Sequence, residues 1–321
     1  MHLWIVIALF LLGIVLIVKG GDLFVDAASW MAEVSGIPKL IVGATVVSLA
    51  TTLPEQLVSI MAAVQGKTDM AVGNAVGSVT ANVGLILAVS VLCMPAVIRR
   101  RDYAVKSALM LGAAALLLFC GGAGQLEWGI AGILLAVFAA FLVENVSSAR
   151  RSMAAEGAQA VRPPADRRTI AANLLKFALG TAGIVWGADL LVNNGSELAR
   201  FIGISERVIG VTIVAVGTSL PELITTITAI VKKQSSLSVG NILGANIIDL
   251  TLILPLSSLV SGQPLPITAG FARFDLPVCL LVGSIALVPA LAAERFRRWQ
   301  GVLLLAVYGV YVALTCTVMG G

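Results

Sequence analysis

The chain has 321 residues, of which 59% are hydrophobic and only 12% charged, and its mean hydropathy is +1.01. Soluble chains typically carry about 25% charge, and one water-exposed fold cannot hide this much apolar side chain, so a soluble globular domain is excluded. The net charge of +4 comes without basic stripes or interleaved aromatics, and no nucleic-acid partner is expected.

Apolar runs of about 20 residues, the length that crosses roughly 30 Å of hydrocarbon, fall at 3–19, 40–64, 70–95, 104–122, 128–147, 172–192, 207–231, 237–260, 275–293 and 299–318. In lipid every backbone polar group needs an internal partner, so each run must be helical. The expected fold is an all-α membrane protein with ten transmembrane helices. The first run has no basic residue ahead of it and is expected to persist as a helix rather than a cleaved leader. Residues 149–171, which contain Arg150, Arg151, Pro163 and Pro164, read as a solvated cytoplasmic linker between a first half, 1–148, and a second, 172–321. Alternating the gaps between two sides leaves only Lys67, Arg200, Arg207 and Arg273 on one of them, against seventeen Lys and Arg on the other. The richer side is then cytoplasmic, and both termini face outward from the cell's inner (plasma) membrane.

Adding 167 to a residue number maps the first half onto the second without a gap from Gly13 to Leu87. The block GATVVSLATTLPEQ, from Gly43, meets GVTIVAVGTSLPEL, from Gly210, with seven of fourteen positions identical, and VGNAVGSVTAN, from Val72, meets VGNILGANIID, from Val239. Such self-similarity marks a duplication. Five spans per copy is an odd number, so the second copy enters the bilayer from the opposite face. Two inverted five-helix repeats place a substrate site near mid-membrane, between the copies.

Three acids, Glu55, Glu222 and Asp249, sit well inside apolar spans, and the glutamates share one repeat position. At about 2.5 to 3.5 kcal/mol each, three uncompensated charges are costly, and a bound cation is the simplest partner. Each glutamate follows a proline in mid-helix. Proline removes a backbone donor and clashes with the carbonyl four residues back, so Pro54 frees the carbonyl of Ala50 and disturbs Thr51, and Pro221 does the same at Gly217 and Thr218. Helices 2 and 7 are therefore expected to be broken, with unwound carbonyls available as cation ligands. Thr45, Ser48, Thr52, Glu55 and Ser59 follow the spacing of one helix face, as do Thr212, Ser219, Glu222 and Thr226. On the next helices Asn74, Ser78 and Asn82 recur every four residues, matched by Asn241, Ala245 and Asp249. This hard-oxygen set suits calcium. The four cysteines are scattered and read as small buried hydrophobes, no cofactor is expected, and Asp22 and Asp189 are expected to cap or orient helices near their ends.

At the motifs ending TTLPE and TSLPE, joined to GNAVGSVTAN and GNILGANIID, the chain resembles the sodium/calcium exchanger family of the calcium/cation antiporter superfamily, in its short prokaryotic form. The resemblance implies a secondary transporter, not an enzyme, in which Glu55 and Glu222 bind calcium with the carbonyls of Thr51 and Thr218. It further implies sodium sites at the carbonyls of Ser48 and Ala215, at the side chains of Thr52, Ser219 and Ser78, and at a polar pair, Asn82 and Asp249. The first and sixth helices would slide across the other eight. The chain departs from the family at Ala50, Thr52, Val79 and Ala245, the last two lacking an expected amide and hydroxyl. Calcium and sodium are the expected substrates, membrane lipid the surroundings and a monomer the working unit. A proton/calcium exchanger on the same fold, and a cation channel, are the rival readings.

Overall fold

The computed structural model describes residues 3–34, 49, 52–156, 166–231 and 235–317. Their helices, in chain order, are α1 (Leu3–Val34), α2 (Leu53–Val64), α3 (Thr68–Cys93), α4 (Arg100–Ala123), α5 (Trp128–Glu156), α6 (Arg167–Ile202), α7 (Glu206–Thr218), α8 (Leu220–Val231), α9 (235–261), α10 (Phe271–Ala293) and α11 (Arg298–Thr317). Eight of them are long and apolar enough to cross a membrane, and α7 with α8, bent by 46° at their junction, bring the count to nine when the pair is taken as one broken span. The remaining expected span, 40–64, is described as a helix only from Leu53 onward, which is too short to cross alone. The protein is thus an all-helical, multi-pass membrane protein.

Several boundaries differ from the hydropathy reading, for one physical reason. A helix does not stop where its apolar run stops if the following charges are helix formers with local partners. α1 continues past residue 19 through Lys19 and Asp22, which pair at 3.7 Å one turn apart, and α6 begins before and ends after the apolar run 172–192. At 1.5 Å per residue, the 36 residues of α6 span about 54 Å, far more than the hydrocarbon core. Asp22 and Asp189 consequently lie inside their helices, not at their ends. Likewise α5 and α6 reach into both ends of the expected linker 149–171, whose middle lies outside the described residues. α6 stops at Gly203, whose φ of +76° no β-carbon favours, and Ser205 then caps α7 by accepting from Val208 N at 3.4 Å. Cys120 and Cys279 are buried as expected, whereas Cys93 and Cys316 are exposed.

The two long helices pack on each other backbone to backbone. A methyl group at Gly13 would lie 2.9 Å from the Gly187 carbonyl oxygen, and one at Gly20 would lie 2.8 Å from that of Gly180. Since 13 maps to 180 and 20 to 187 under the repeat, each contact is the other's copy, which is the signature of a two-fold interface. The turn after α2 docks on α6: Gln65 Nε2 donates to Asp189 Oδ1 at 3.2 Å, and Lys67 Nζ to Asn193 Oδ1 at 3.1 Å. α3 is the central mast. Its Gly73 and Gly77 let α7 approach until a methyl at Gly77 would lie 2.6 Å from Val211 Cα. π-helical turns begin at Asn82 in α3 and at Asp249 in α9, again repeat-equivalent positions. A single-residue excess of this kind bulges the helix and is frequent at functional sites; two further π-helical turns run over Gly210–Val214 and Phe271–Asp275.

Arg207, read from the sequence as a loop charge, is buried at the head of α7. It donates through Nη1 to Asp275 Oδ2 and lies 5.7 Å over the Phe271 ring, while Tyr311 OH donates to Asp275 Oδ1 at 2.9 Å. Removing one partner of a buried ion pair strands the other charge at a cost of about 3–5 kcal/mol, whereas replacing both is often near neutral. Arg207→Leu is therefore expected to lower the unfolding midpoint of the purified protein sharply, and Arg207→Leu combined with Asp275→Leu to recover most of the loss. A double variant no more stable than the single one would contradict this.

Candidate cation site

Where the sequence forces a break, the chain breaks. Ser219, between α7 and α8, has φ −83° and ψ 9°, and Thr52, ahead of α2, has φ −87° and ψ 2°. Both depart from helical ψ two residues before a proline, at repeat-equivalent positions. Near the first break the Leu49 carbonyl takes side-chain donors: Thr52 Oγ1 at 3.1 Å and Gln56 Nε2 at 3.3 Å. Ser48 and Thr51, with Thr45 and Ala50, lie outside the described residues.

The breaks bring the two copies together. Ser219 Oγ, from the second copy, donates to Glu55 Oε1, from the first, at 3.0 Å. Glu222 and Asp249 both lie within electrostatic range of Glu55. Asn74 ties the elements across α3: its Nδ2 donates to the Glu55 carbonyl at 3.1 Å and to Ser59 Oγ at 2.9 Å, and its Oδ1 accepts from Thr218 Oγ1 at 3.0 Å. Ser78 Oγ reaches the Ala215 carbonyl at 3.5 Å, an approach that Gly77 permits one residue earlier. Thr52, Glu55, Ser78, Asn82, Ala215, Thr218, Ser219, Glu222 and Asp249 are all fully buried. Of the eleven sequence-derived site residues the nine described are thus buried, and hydrogen bonds or electrostatic proximity link seven of them, Glu55, Ser78, Ala215, Thr218, Ser219, Glu222 and Asp249, while Thr52 bonds to its own turn and Asn82 to Asn246.

The electrostatics of this centre are one-sided. Three carboxylates are buried here, and the one buried base among the described residues, Arg207, already serves Asp275. Glu55 Oε2 and both Asp249 carboxylate oxygens have no hydrogen-bond partner among the described residues. Orphaned buried acceptors of this kind are rare and need an explanation, and an oxygen-seeking cation supplies one. No three His, Cys, Asp or Glu side chains among the described residues are grouped so as to hold a metal ion by themselves. The donor set is mixed, made of carboxylate, amide, hydroxyl and carbonyl oxygens, as suits a hard ion that must also leave. The expected polar pair is not closed by a hydrogen bond: Asn82 Nδ2 instead donates to Asn246 Oδ1 at 3.1 Å. Asn246 was visible in the second motif as the residue after Ala245, but its first-copy mate, Val79, is apolar, so the repeat gave no hint of it. Gln56, which helps to satisfy the broken turn, is likewise matched by Leu223.

Known proteins resemble this chain along nearly its whole length. The family model described as Sodium/calcium exchanger protein matches residues 5–146 and 172–317, one segment per half. The inner membrane protein YrbG of Escherichia coli is 36% identical, over 96% of this chain and 95% of its own. Sodium/calcium exchanger MaX1 of Methanosarcina acetivorans is 31% identical, over 95% of this chain and 96% of its own. Among solved structures, the sodium-calcium exchanger NCX_Mj soaked with 100 mM Na+ and 10 mM Sr2+ aligns with a TM-score of 0.66 at 28% identity, covering 97% of this chain and 99% of that one. By sequence match over both halves and by fold, the chain belongs to the sodium/calcium exchanger family.

Proposed function

We propose that this protein is a secondary antiporter that exchanges calcium for sodium across the cell's inner membrane by alternating access. Its ten spans form two inverted repeats, 1–148 and 172–321, joined by the cytoplasmic linker 149–171, with both termini outside and the monomer as the working unit. Glu55 and Glu222 together neutralise one calcium ion, aided by the carbonyls of Thr51 and Thr218. Sodium ions use the carbonyls of Ser48 and Ala215, the side chains of Thr52, Ser219 and Ser78, and the polar groups of Asn82 and Asp249. Because the two ions share ligands, one must leave for the other to bind, and that competition enforces exchange. The reciprocal glycine contacts of α1 and α6 support the inverted repeat and a paired motion of those helices.

One observation carries this reading above the rest: two repeat-equivalent glutamates are buried within electrostatic range of each other, and the one buried base among the described residues, Arg207, is paired with Asp275. MaX1 and NCX_Mj, both named as sodium-calcium exchangers, support sodium as the counter-ion. Ala245, where the family often has a serine, keeps proton exchange as the second reading, since one sodium-binding hydroxyl is gone.

The test is uptake of radiolabelled calcium into proteoliposomes with sodium, potassium and proton gradients imposed one at a time. Uptake is expected under the sodium gradient alone. Uptake driven by protons alone would replace this reading with the second one. Flux that needs no counter-ion and does not saturate would indicate a channel.

A further inference from the structure

Asn246 lies on α9, three residues before Asp249, and is buried. Its Nδ2 faces the Met110 thioether of α4 at 3.9 Å. A thioether sulfur can only accept, so the donor end of the Asn246 amide belongs on that side. The oxygen end therefore faces α3, where it accepts from Asn82 Nδ2 at 3.1 Å. That bond in turn fixes the Asn82 amide. Its donor end is held by Asn246, and its Oδ1 is left buried with no hydrogen-bond partner. Both oxygens of Asp249 are in the same condition. A free amide rotates at little cost and offers either end, so an unconstrained Asn82 would present NH2 as readily as oxygen. A cation accepts only the oxygen.

We propose that Asn246 is a positioning residue that holds the Asn82 amide so that its oxygen is presented to the monovalent ion, with Met110 setting the orientation of Asn246. The repeat explains why one copy needs the device and the other does not. The mate of Asn82 is Asp249, a carboxylate whose two ends are both oxygens and need no orienting. The mate of Asn246 is Val79, which can neither donate nor accept. An orienting amide accompanies the asymmetric ligand, and a valine accompanies the symmetric one. The departure at Val79 is thus matched to the chemistry of Asp249, the repeat mate of the residue that Asn246 serves.

This inference rests on the sodium reading of Asn82 given above, and the experiment separates the two. Purified protein is titrated with sodium chloride against choline chloride, and separately with calcium, following the thermal unfolding midpoint as the binding signal. In Asn246→Leu the sodium concentration at half-effect is expected to rise by about tenfold or more, the scale of one lost ligand oxygen, while that for calcium stays within about twofold. Asn246→Asp retains an acceptor for Asn82 Nδ2 and should restore the sodium response. Met110→Leu should give a smaller shift in the same direction. Wild-type protein that does not respond to sodium sinks the sodium reading and this inference with it. A responsive wild type whose Asn246→Leu variant matches it overturns this inference alone. Equal loss of both ions' responses in Asn246→Leu and Asn246→Asp also overturns it, because it would mark Asn246 as structural.

Discussion

Glu222→Gln is expected to abolish calcium exchange while leaving the protein folded. The substitution keeps side-chain shape and removes one of the two negative charges that the proposed calcium ion would face, in a centre where the one buried base among the described residues, Arg207, already pairs with Asp275. A calcium ion bound there would keep an uncompensated positive charge in a low-dielectric interior. Removing one partner of a buried charge pair costs about 3–5 kcal/mol, and at about 1.4 kcal/mol per decade that is a loss of two to three and a half decades in calcium flux. Glu55→Gln should do the same, and it tests the point more cleanly, since glutamine retains an Oε1 that can accept from Ser219 Oγ. The double substitution should be little worse than either single one, because groups acting as a unit are grossly non-additive. The measurement is radiolabelled calcium uptake into proteoliposomes at matched protein density, with the unfolding midpoint as the control for folding. Either single variant retaining flux within about threefold of wild type would remove the physical basis of the proposed exchange.

Much of this arrangement is legible in the sequence, because its strongest signals are local or periodic. The apolar runs located the eight spans described and the bent α7–α8 pair, the constant offset of 167 pairs the reciprocal glycine contacts of α1 and α6, and two prolines one residue ahead of two glutamates mark where Thr52 and Ser219 leave helical ψ. Helix ends were not legible. Hydropathy measures what lipid tolerates, whereas α1 and α6 continue as helices through charged residues that pair along the chain or with each other, as Lys176 does with Asp26 at 3.5 Å. Nor could the sequence show that Arg207 is buried. Its partner, Asp275, stands 68 residues away at the edge of another span, so the pair looks like two interfacial charges until the fold closes. Asn246 escaped for a related reason. Its role lies in contacts to α3 and α4 from distant parts of the chain, and a repeat search passes over a position whose two copies differ.

Gly20→Ala is expected to be damaging and Gly21→Ala harmless, although both add one methyl to adjacent residues of one helix. At Gly20 the added carbon would meet the Gly180 carbonyl oxygen and the Ile184 amide nitrogen, both at 2.8 Å, and at Gly21 nothing lies within 4 Å. The walls at Gly20 are backbone, which cannot rotate aside, so α1 and α6 must separate along a contact that runs through Gly13 and Gly187 as well. Overpacking of this kind costs about 1–3 kcal/mol, and in lipid, where no hydrophobic force drives helices together, close packing of small residues is a main source of association. Alanine is also the better helix former by about 1 kcal/mol, so helix propensity would predict a gain at both positions, and only the contact separates them. Gly180→Ala should reproduce the damage from the other side, its methyl lying 2.6 Å from Phe24 N. Unfolding midpoints and sodium-driven calcium uptake of the three variants decide the matter. If α1 and α6 move as one body during exchange, as the reciprocal glycine contact supports, Gly20→Ala and Gly180→Ala lose transport together with stability. Equal behaviour of Gly20→Ala and Gly21→Ala would mean that the two helices are not in backbone contact in the working protein.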